Sequence, residues 1–272
     1  MRPRYFDCHT HVNFIAFKDE VTPTIERARS AGVGMIVVGT QYDTSVDAVK
    51  VAEAHDDVYA AIGLHPIHST KSYHDEKELG EGGKEFTSRG EDFDAEKYVA
   101  LGQSPKVVAV GECGLDYYRL EDDTKKKQEE TFVQQIELAN KLNKPLMLHI
   151  RNAYDDAFAI LKAHAKVKGD VHFFAGDWNI AKQFLDFGFT LSFTGVLTFA
   201  REYDEVVRNA PLDMLLSETD APYVAPKPYR GKRNEPAYVV EVVKAIAEIR
   251  GELLEIVRDQ LAANARRVFG LK

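Results

Sequence analysis

Two histidines separated by one residue, His9 and His11, follow the first apolar run of the chain. On an extended segment, side chains two positions apart point to the same side, so both imidazoles could reach one metal ion. A His-x-His pair can also be an ordinary surface or core pair, and alone it is a weak signal. Its position at the end of a predicted strand favours the metal-ligand interpretation.

A carboxylate and two further histidines also close apolar runs. Glu112 follows several valines, where a carboxylate is costly unless it meets a cation or a hydrogen-bond partner. An ordinary buried salt bridge is the alternative, but the nearby Gly111 and Gly114 indicate that backbone or ligand comes close. His149 and His172 end two neighbouring runs. One such histidine is usually a core residue, whereas two that point to the same place favour metal ligands.

A pair of acidic residues, Glu218 and Asp220, ends the last apolar run. Helix capping is the ordinary interpretation of such a pair, but Pro222 and the loop that follows it delay any helix. Metal-ligand side chains therefore stand at the ends of five separate runs.

Eight short apolar runs alternate with longer amphipathic segments, which is the pattern of a (β/α)8 barrel. A doubly wound open sheet is the competing fold, but it would usually carry a glycine-rich phosphate turn after the first strand. No such turn is present. Catalytic side chains of these barrels lie at the carboxyl ends of the strands. We predict a single α/β domain over residues 1–272, folded as a TIM-type barrel with its metal site at the carboxyl ends of the strands. The predicted strands are residues 4–9, 33–39, 58–64, 106–112, 145–150, 170–174, 189–193 and 213–218.

Residues 72–90 are rich in Glu, Asp, Lys and Gly, and they are predicted to form a solvated surface loop inserted after the third strand. Residues 251–261 are predicted to form an extra helix that closes the barrel. Cys113 is expected to have a packing role, because strand alternation points it away from Glu112. Histidines outside the strand ends are expected to be solvated, namely His55, His68, His74 and His164.

The bulk composition is that of a globular enzyme, with 272 residues, of which 44% are hydrophobic and 29% charged. Two cysteines are too few for a disulfide framework and the amino terminus has no apolar leader, so we expect a cytoplasmic protein. No run is long enough to span a membrane, and neither a membrane nor an obligate protein partner is predicted. The net charge of −8 argues against nonspecific coating of nucleic acid, although a local basic rim would still allow a nuclease.

Considered together, the strand-end residues make the chain resemble the TatD-type deoxyribonucleases, a branch of the metal-dependent amidohydrolase superfamily. The sixth-strand segment His172-Phe173-Phe174 is looser than the usual His-Cys-Phe form of the family, and the acidic insertion is longer than is typical. The resemblance covers nearly the whole chain and rests on the segments Phe6-Asp7-Cys8-His9-Thr10-His11, Gly63-Leu64-His65-Pro66, Gly111-Glu112-Cys113-Gly114-Leu115-Asp116-Tyr117-Tyr118, His149-Ile150-Arg151 and Glu218-Thr219-Asp220-Ala221-Pro222-Tyr223.

The resemblance implies a binuclear centre with two divalent metal ions. Many relatives in the superfamily bridge their metals with a carbamylated lysine, whereas this chain offers a glutamate at the end of the fourth strand, as the nuclease branch does. Imidazole and carboxylate ligands suit Zn²⁺ or Mn²⁺, and family behaviour adds Mg²⁺. One ion would be held by His9, His11 and Asp220, the other by His149 and His172, with Glu112 bridging both.

The implied reaction is hydrolysis of phosphodiester bonds in DNA by a metal-activated water, carried out as an exonuclease. Asp220 is predicted to accept the proton of that water, and Glu218 to orient a ligand histidine.

Substrate contacts are predicted at two places. His65 and Arg151 could contact the phosphate, although His65 could also merely brace its turn. Residues 227–233 carry four cations, and among them Arg230 and Arg233 are predicted to form a phosphate-binding rim. A solvated loop is the alternative interpretation of this segment.

Two other functions stay open. The same barrel could hydrolyse a small amide, lactone or phosphoester, which a bridging lysine and a tight apolar pocket would indicate. The chain could also be an inert barrel that serves as a binding or scaffold protein, in which case ligands should be missing. All six ligand positions are filled.

Overall fold

Eight parallel strands form the centre of the protein in the computed structural model, which describes residues 2–71, 73–74, 85–118 and 124–272. Each strand coincides with a predicted apolar run, and their side chains are almost all buried, as expected for a parallel sheet covered on both faces. The predicted barrel fold is confirmed. The strands are β1 Tyr5–Thr10, β2 Val33–Val38, β3 Val58–Ile62, β4 Val107–Asp116, β5 Leu146–Arg151, β6 Gly169–Val171, β7 Thr190–Phe193 and β8 Leu215–Ser217.

The strands are hydrogen-bonded in sequence order, from β1 through to β8. No ladder joins β1 to β8 among the described residues, and this seam is instead held by an isolated bridge between Thr10 and Ala221. Two backbone hydrogen bonds strengthen the seam: His11 N donates to Ala221 O at 2.7 Å, and Asp220 N donates to His9 O at 2.9 Å. The barrel is therefore closed by predicted metal ligands and their immediate neighbours.

Helices follow the strands and cover the outside of the sheet. In the longest, Phe132, Ile136 and Ala139 lie at helical spacing and are buried against the sheet, as the sequence pattern predicts. The described helices are α1 Val21–Ser30, α2 Tyr42–Glu53, α3 Ala95–Leu101, α4 Thr124–Leu142, α5 Tyr154–His164, α6 Trp178–Phe187, α7 Asp204–Asn209, α8 Val239–Arg250 and α9 Leu254–Phe269. None of the helices in the described part of the chain is long and apolar enough to cross a bilayer.

The last helix closes one end of the barrel. Side chains from the strands, such as Phe6 and Met147, fill the interior, and Ala265 and Phe269 of α9 belong to the same apolar cluster. The Asn264 amide ties the helix to the beginning of β8, since it donates to the carbonyls of residues 212 and 215. The predicted closing helix is thus present, but it is one continuous helix that extends to Phe269.

Some details differ from the prediction. Strand β6 is shorter than residues 170–174 because the backbone turns at Phe173, where φ is +46°. Of the insertion at 72–90, residue 72 and residues 75–84 lie outside the described residues; Tyr73–His74 and Phe86–Thr87 pair as two short antiparallel strands. The expectation that His68 is solvated was wrong, because it is buried and its Nδ1 lies 2.9 Å from Ser88 Oγ.

The other minor expectations concern one cysteine and three histidines. Cys113 is fully buried in the apolar layer outside the sheet, so the predicted packing role is confirmed. His164 is exposed and His55 is half-buried. The side chain of His74 lies outside the described residues.

Candidate metal centre

The seam between β1 and β8 brings three predicted ligands together. Nε2 of His9 and Nε2 of His11 lie 3.1 Å apart. Oδ1 of Asp220 lies 3.3 Å from the His11 nitrogen and 3.8 Å from the His9 nitrogen. Asp220 adopts a left-handed backbone conformation with φ of +53°, a conformation that Asp tolerates better than most residues. The first predicted group of ligands is therefore assembled at the barrel mouth.

The second predicted group is assembled beside the first. Oε1 of Glu112 lies 2.9 Å from Nδ1 of His149 and 3.2 Å from Nε2 of His172. The rings of His9 and His172 stack with centroids 3.7 Å apart, so the two groups touch. All six predicted ligands thus converge on one place, although they come from five strand ends.

Glu112 divides its two oxygens between the groups. Its Oε1 faces His149 and His172, whereas its Oε2 lies 3.4 Å from His9 Nε2 and 3.8 Å from His11 Nε2. Only 3% of Glu112 is exposed to solvent. A single carboxylate in this position can bind two ions at once, one through each oxygen.

The donor atoms fit a metal ion better than a network of hydrogen bonds. Ligand atoms about 2.1 Å from a tetrahedral ion are about 3.4 Å from one another. The distance between His9 and His11 and the distances from these two histidines to Glu112 and Asp220 range from 3.1 to 3.8 Å, and several exceed good hydrogen-bond length. Imidazole and carboxylate donors at this spacing suit a first-row divalent cation.

Two glycines allow the strands to approach closely at this point. A Cβ added to Gly111 would lie 2.3 Å from Met147 O, and one added to Gly114 would lie 2.0 Å from His149 O. Gly114 also has φ of +143°, which side chains rarely adopt. The predicted close approach around Glu112 is confirmed, and the approaching group is the backbone of β5.

The ionisable groups of the cluster shift one another strongly. Burial raises the pKa of Glu112, but the surrounding imidazoles, led by His65 and His172, lower it by more, to well below its usual value. Burial lowers the pKa of His149, but hydrogen bonds to Asp116 and Glu112 outweigh burial and raise it to about 9. A cation that binds at neutral pH must therefore displace a proton from this ring.

Each histidine of the second group also contacts a carboxylate other than Glu112 through its remaining ring nitrogen. Nδ1 of His172 lies 3.1 Å from Glu218 Oε1, which confirms the predicted contact between Glu218 and a ligand histidine. Nε2 of His149 lies 3.0 Å from Asp116 Oδ2, a contact that sequence reasoning missed. The available signal was strand alternation, because Asp116 lies four residues after Glu112 on β4.

A buried chain of polar groups continues behind Glu218. Its Oε2 lies 2.7 Å from Ser192 Oγ, and that hydroxyl lies 2.6 Å from Asp170 Oδ2. Burial and the charge of Glu218 raise the pKa of Asp170 to about 8. Because the serine hydroxyl has one proton for two acceptors, a protonated Asp170 satisfies the chain at neutral pH.

His65 reaches the cluster as a hydrogen-bond donor. Its Nδ1 accepts a hydrogen bond from Ile67 N at 3.2 Å, so its proton resides on Nε2, which lies 3.2 Å from Glu112 Oε1. Burial and the nearby His149 lower the pKa of His65 to about 4. His65 therefore braces its turn with one nitrogen and presents an N–H at the site with the other.

The three predicted arginines have different surroundings. Arg151, at the end of β5, stacks over the ring of Tyr118 at 3.8 Å. Arg230 stacks over Phe199 at 3.9 Å and donates to a backbone carbonyl. Arg233 is paired with two carboxylates, those of Glu20 at 2.5 Å and of residue 235 at 3.2 Å. The structure brings none of these three into the contacts described above for the metal ligands.

Comparison with known proteins finds relatives that match nearly the whole chain. A family model described as TatD related DNase matches residues 6–270. The chain is 38% identical over 269 residues to an uncharacterized metal-dependent hydrolase, YabD, of Bacillus subtilis, covering 97% of this chain and 98% of that protein. It is 34% identical over 276 residues to a protein of Klebsiella pneumoniae named 3′-5′ ssDNA/RNA exonuclease TatD, covering 98% of each chain.

A solved structure shows the same architecture. The TatD homologue YjjV of Escherichia coli superposes with a TM-score of 0.84 at 29% identity, and the match covers both chains completely. The chain has a buried cluster of histidines and carboxylates at the mouth of its barrel, and the family model and the relatives match nearly its whole length. These findings identify a metal-dependent hydrolase, and the chain belongs to the TatD-related DNase family.

Proposed function

We propose that this protein is a two-metal exonuclease that hydrolyses phosphodiester bonds of single-stranded DNA, acting as a single catalytic domain in the cytoplasm. The observation that carries the proposal is the division of the Glu112 oxygens between two groups of histidines. The name of the Klebsiella relative, which specifies single-stranded DNA and RNA, supports the choice of substrate. Two buried free thiols, Cys8 and Cys113, suit a reducing compartment.

The proposed ions are Mg²⁺, Mn²⁺ or Zn²⁺. When bound, such a pair of cations would lower the pKa of a water and neutralise charge on the phosphoryl oxygens. The first ion would be held by His9, His11 and Asp220, the second by His149 and His172, with Glu112 shared between them.

Asp220 is the proposed proton acceptor. Its side chain is 16% exposed, whereas those of His9, His11 and Glu112 are at most 4% exposed, so water can reach it. The hydrogen bond from its backbone N–H to His9 O fixes its position. A carboxylate held at the edge of the cluster can take a proton from an attacking water.

The phosphate would be held by donors around the mouth. His65 presents Nε2–H toward the cluster, and Arg151 is held by stacking on Tyr118 two residues beyond His149. Arg230 adds a cation on the loop that follows β8. Guanidinium groups suit phosphate because they can donate two parallel hydrogen bonds. The two ion pairs of Arg233 favour a structural role for that residue in the same loop.

The test is cleavage of single-stranded DNA labelled at either end, after removal of metal with a chelator and reconstitution with each cation. We expect metal-dependent loss of nucleotides from one end, abolished by the chelator and by Asp220→Asn. An RNA of the same sequence, a DNA duplex and a panel of small amides, lactones and phosphoesters serve as competing substrates. Hydrolysis of a small ester without cleavage of nucleic acid would contradict the proposal. Cleavage that survives both the chelator and Asp220→Asn would indicate a contaminating nuclease, whereas metal-dependent cleavage by Asp220→Asn would contradict the role of Asp220.

A further inference from the structure

The two histidines of the second ligand group present opposite ring nitrogens to Glu112. His149 uses Nδ1, at 2.9 Å, whereas His172 uses Nε2, at 3.2 Å. In each ring, the remaining nitrogen faces a carboxylate. Asp116 Oδ2 lies 3.0 Å from Nε2 of His149, and Glu218 Oε1 lies 3.1 Å from Nδ1 of His172.

The first ligand group has no such support. Nδ1 of His11 lies 3.0 Å from Val38 O, a neutral carbonyl. Nδ1 of His9 is buried and has no hydrogen-bond partner within the described ranges. Among the described residues, only the histidines of the second ligand group therefore have a carboxylate partner on the ring nitrogen that points away from Glu112.

Asp116 is held in place by contacts that leave one oxygen for His149. Its Oδ1 accepts a hydrogen bond from Tyr118 N at 2.9 Å. The side-chain amide of Gln128 on α4 binds the Asp116 backbone on both sides, accepting from its N–H at 2.8 Å and donating to its carbonyl at 2.9 Å. Both carboxylate oxygens thus act as acceptors, and Asp116 is only 5% exposed.

This geometry selects the ring nitrogen that can bind a metal. An Nε2–H that donates to Asp116 leaves the lone pair on Nδ1, which points to Glu112. A carboxylate behind a ligand imidazole also increases its basicity. Removal of such a partner typically costs about 10- to 100-fold in metal affinity.

We infer that Asp116 is a positioning residue that fixes the ring of His149 with Nδ1 toward the second metal ion, and that its loss weakens that ion but not the first. This inference rests on the proposed two-metal function. It adds a residue that acts on the metal only through a histidine.

The chemistry of asparagine gives the inference a sharp test. An asparagine at position 116 has one acceptor oxygen for two donors, Tyr118 N–H and His149 Nε2–H. If its oxygen accepts the hydrogen bond from Tyr118 N–H, its NH₂ group faces Nε2 of His149. The proton of His149 must then lie on Nδ1, which is the nitrogen proposed to bind the metal. Asp116→Asn should therefore lower the affinity for the second ion at least as much as Asp116→Ala does. A residue needed only for packing would give the reverse order, since asparagine is closer to aspartate in shape.

The experiment is titration of the metal-free protein with Zn²⁺ and with Mn²⁺ in competition with a chromophoric chelator. We expect two affinities for the wild type. In Asp116→Asn, one should fall about 10- to 100-fold while the other is unchanged. Asp57→Asn is the matched control, because it removes a carboxylate paired with Arg29 at the opposite end of the barrel, and both affinities should be kept.

Two further measurements keep the test decisive. In the zinc-loaded wild type, nitrogen NMR should show a protonated Nε2 on His149, and Asp116→Glu should retain more affinity than Asp116→Asn. Equal weakening of both ions, or a milder effect of asparagine than of alanine, would overturn the inference. If the wild type binds a single ion, the two-metal proposal fails. In that case, the Asp116 inference also fails only if Asp116→Asn leaves the affinity for that ion unchanged.

Discussion

Nε2 of His65 lies 3.2 Å from Oε1 of Glu112, the same oxygen that faces His149 and His172. Because Nδ1 of His65 accepts a backbone hydrogen bond, the proton lies on Nε2, and Nε2 is a donor to the site.

His65→Ala should lower kcat about 100-fold and leave metal content unchanged, because one donor to the developing charge is lost. His164→Ala is the control, since this histidine is exposed at the end of α5. The measurement combines cleavage of labelled single-stranded DNA with metal analysis. Loss of one ion in His65→Ala would show instead that His65 is a ligand.

Glu112→Gln should lower the affinity of the protein for both ions, since each oxygen of this carboxylate faces a different group of histidines. Cleavage should fall by more than about 100-fold, as expected when several kcal/mol of transition-state stabilisation is lost. Circular dichroism should show an intact fold. Glu248→Gln, exposed on α8, is the control. Full activity with two bound ions in Glu112→Gln would contradict the bridging role.

Metal-free protein should lose stability as the pH rises from 6.5 to about 9. The pKa of His149 rises from 6.5 to about 9 on folding, so its contribution is complete below pH 6.5 and disappears as the folded ring deprotonates. The shift corresponds to about 3 kcal/mol. Urea unfolding at several pH values should show a smaller loss in His149→Gln than in the wild type, because His172, whose pKa is also raised on folding, remains in the variant. Identical pH profiles for the two proteins would count against it.

Cleavage should weaken with salt, and the cations of the loop after β8 should contribute unequally. Arg230→Ala should reduce the salt slope by about 0.7, the value for one phosphate contact on a single strand. Arg233→Ala should mainly lower the melting temperature, because this arginine is paired with carboxylates of Glu20 and residue 235. The reverse result would place Arg233 at the phosphate.

The fold was predictable because parallel strands buried on both faces must be continuously apolar, as in Met35-Ile36-Val37-Val38. Strand ends were less predictable. The sequence pattern ends the fourth strand at Glu112, whereas β4 continues to Asp116 because its backbone pairs with β5 as far as Arg151. Such pairing depends on a partner strand far away in the chain, which local patterns do not contain.

The six proposed ligands were predictable as residue types, since charged or imidazole groups at the ends of buried strands require a partner. The orientation of each ring was not. Whether His149 uses Nδ1 or Nε2 depends on Asp116, and whether His65 donates or accepts depends on Ile67 N–H. These choices follow from contacts between elements, so they become visible only in three dimensions.

Helix α9 fills the barrel at the amino ends of the strands, where Ala265 and Phe269 join the interior cluster. In the described part of the chain, this helix covers that end of the barrel, and the candidate site lies at the other end, at the carboxyl ends of the strands. On the proposed function, a DNA end would enter and the released nucleotide would leave at that end, so each round of cutting would require the product to depart before the shortened strand advances. Release of product often limits turnover in such enzymes. Competitive inhibition by free nucleoside monophosphate is the expected consequence of this closed end of the barrel.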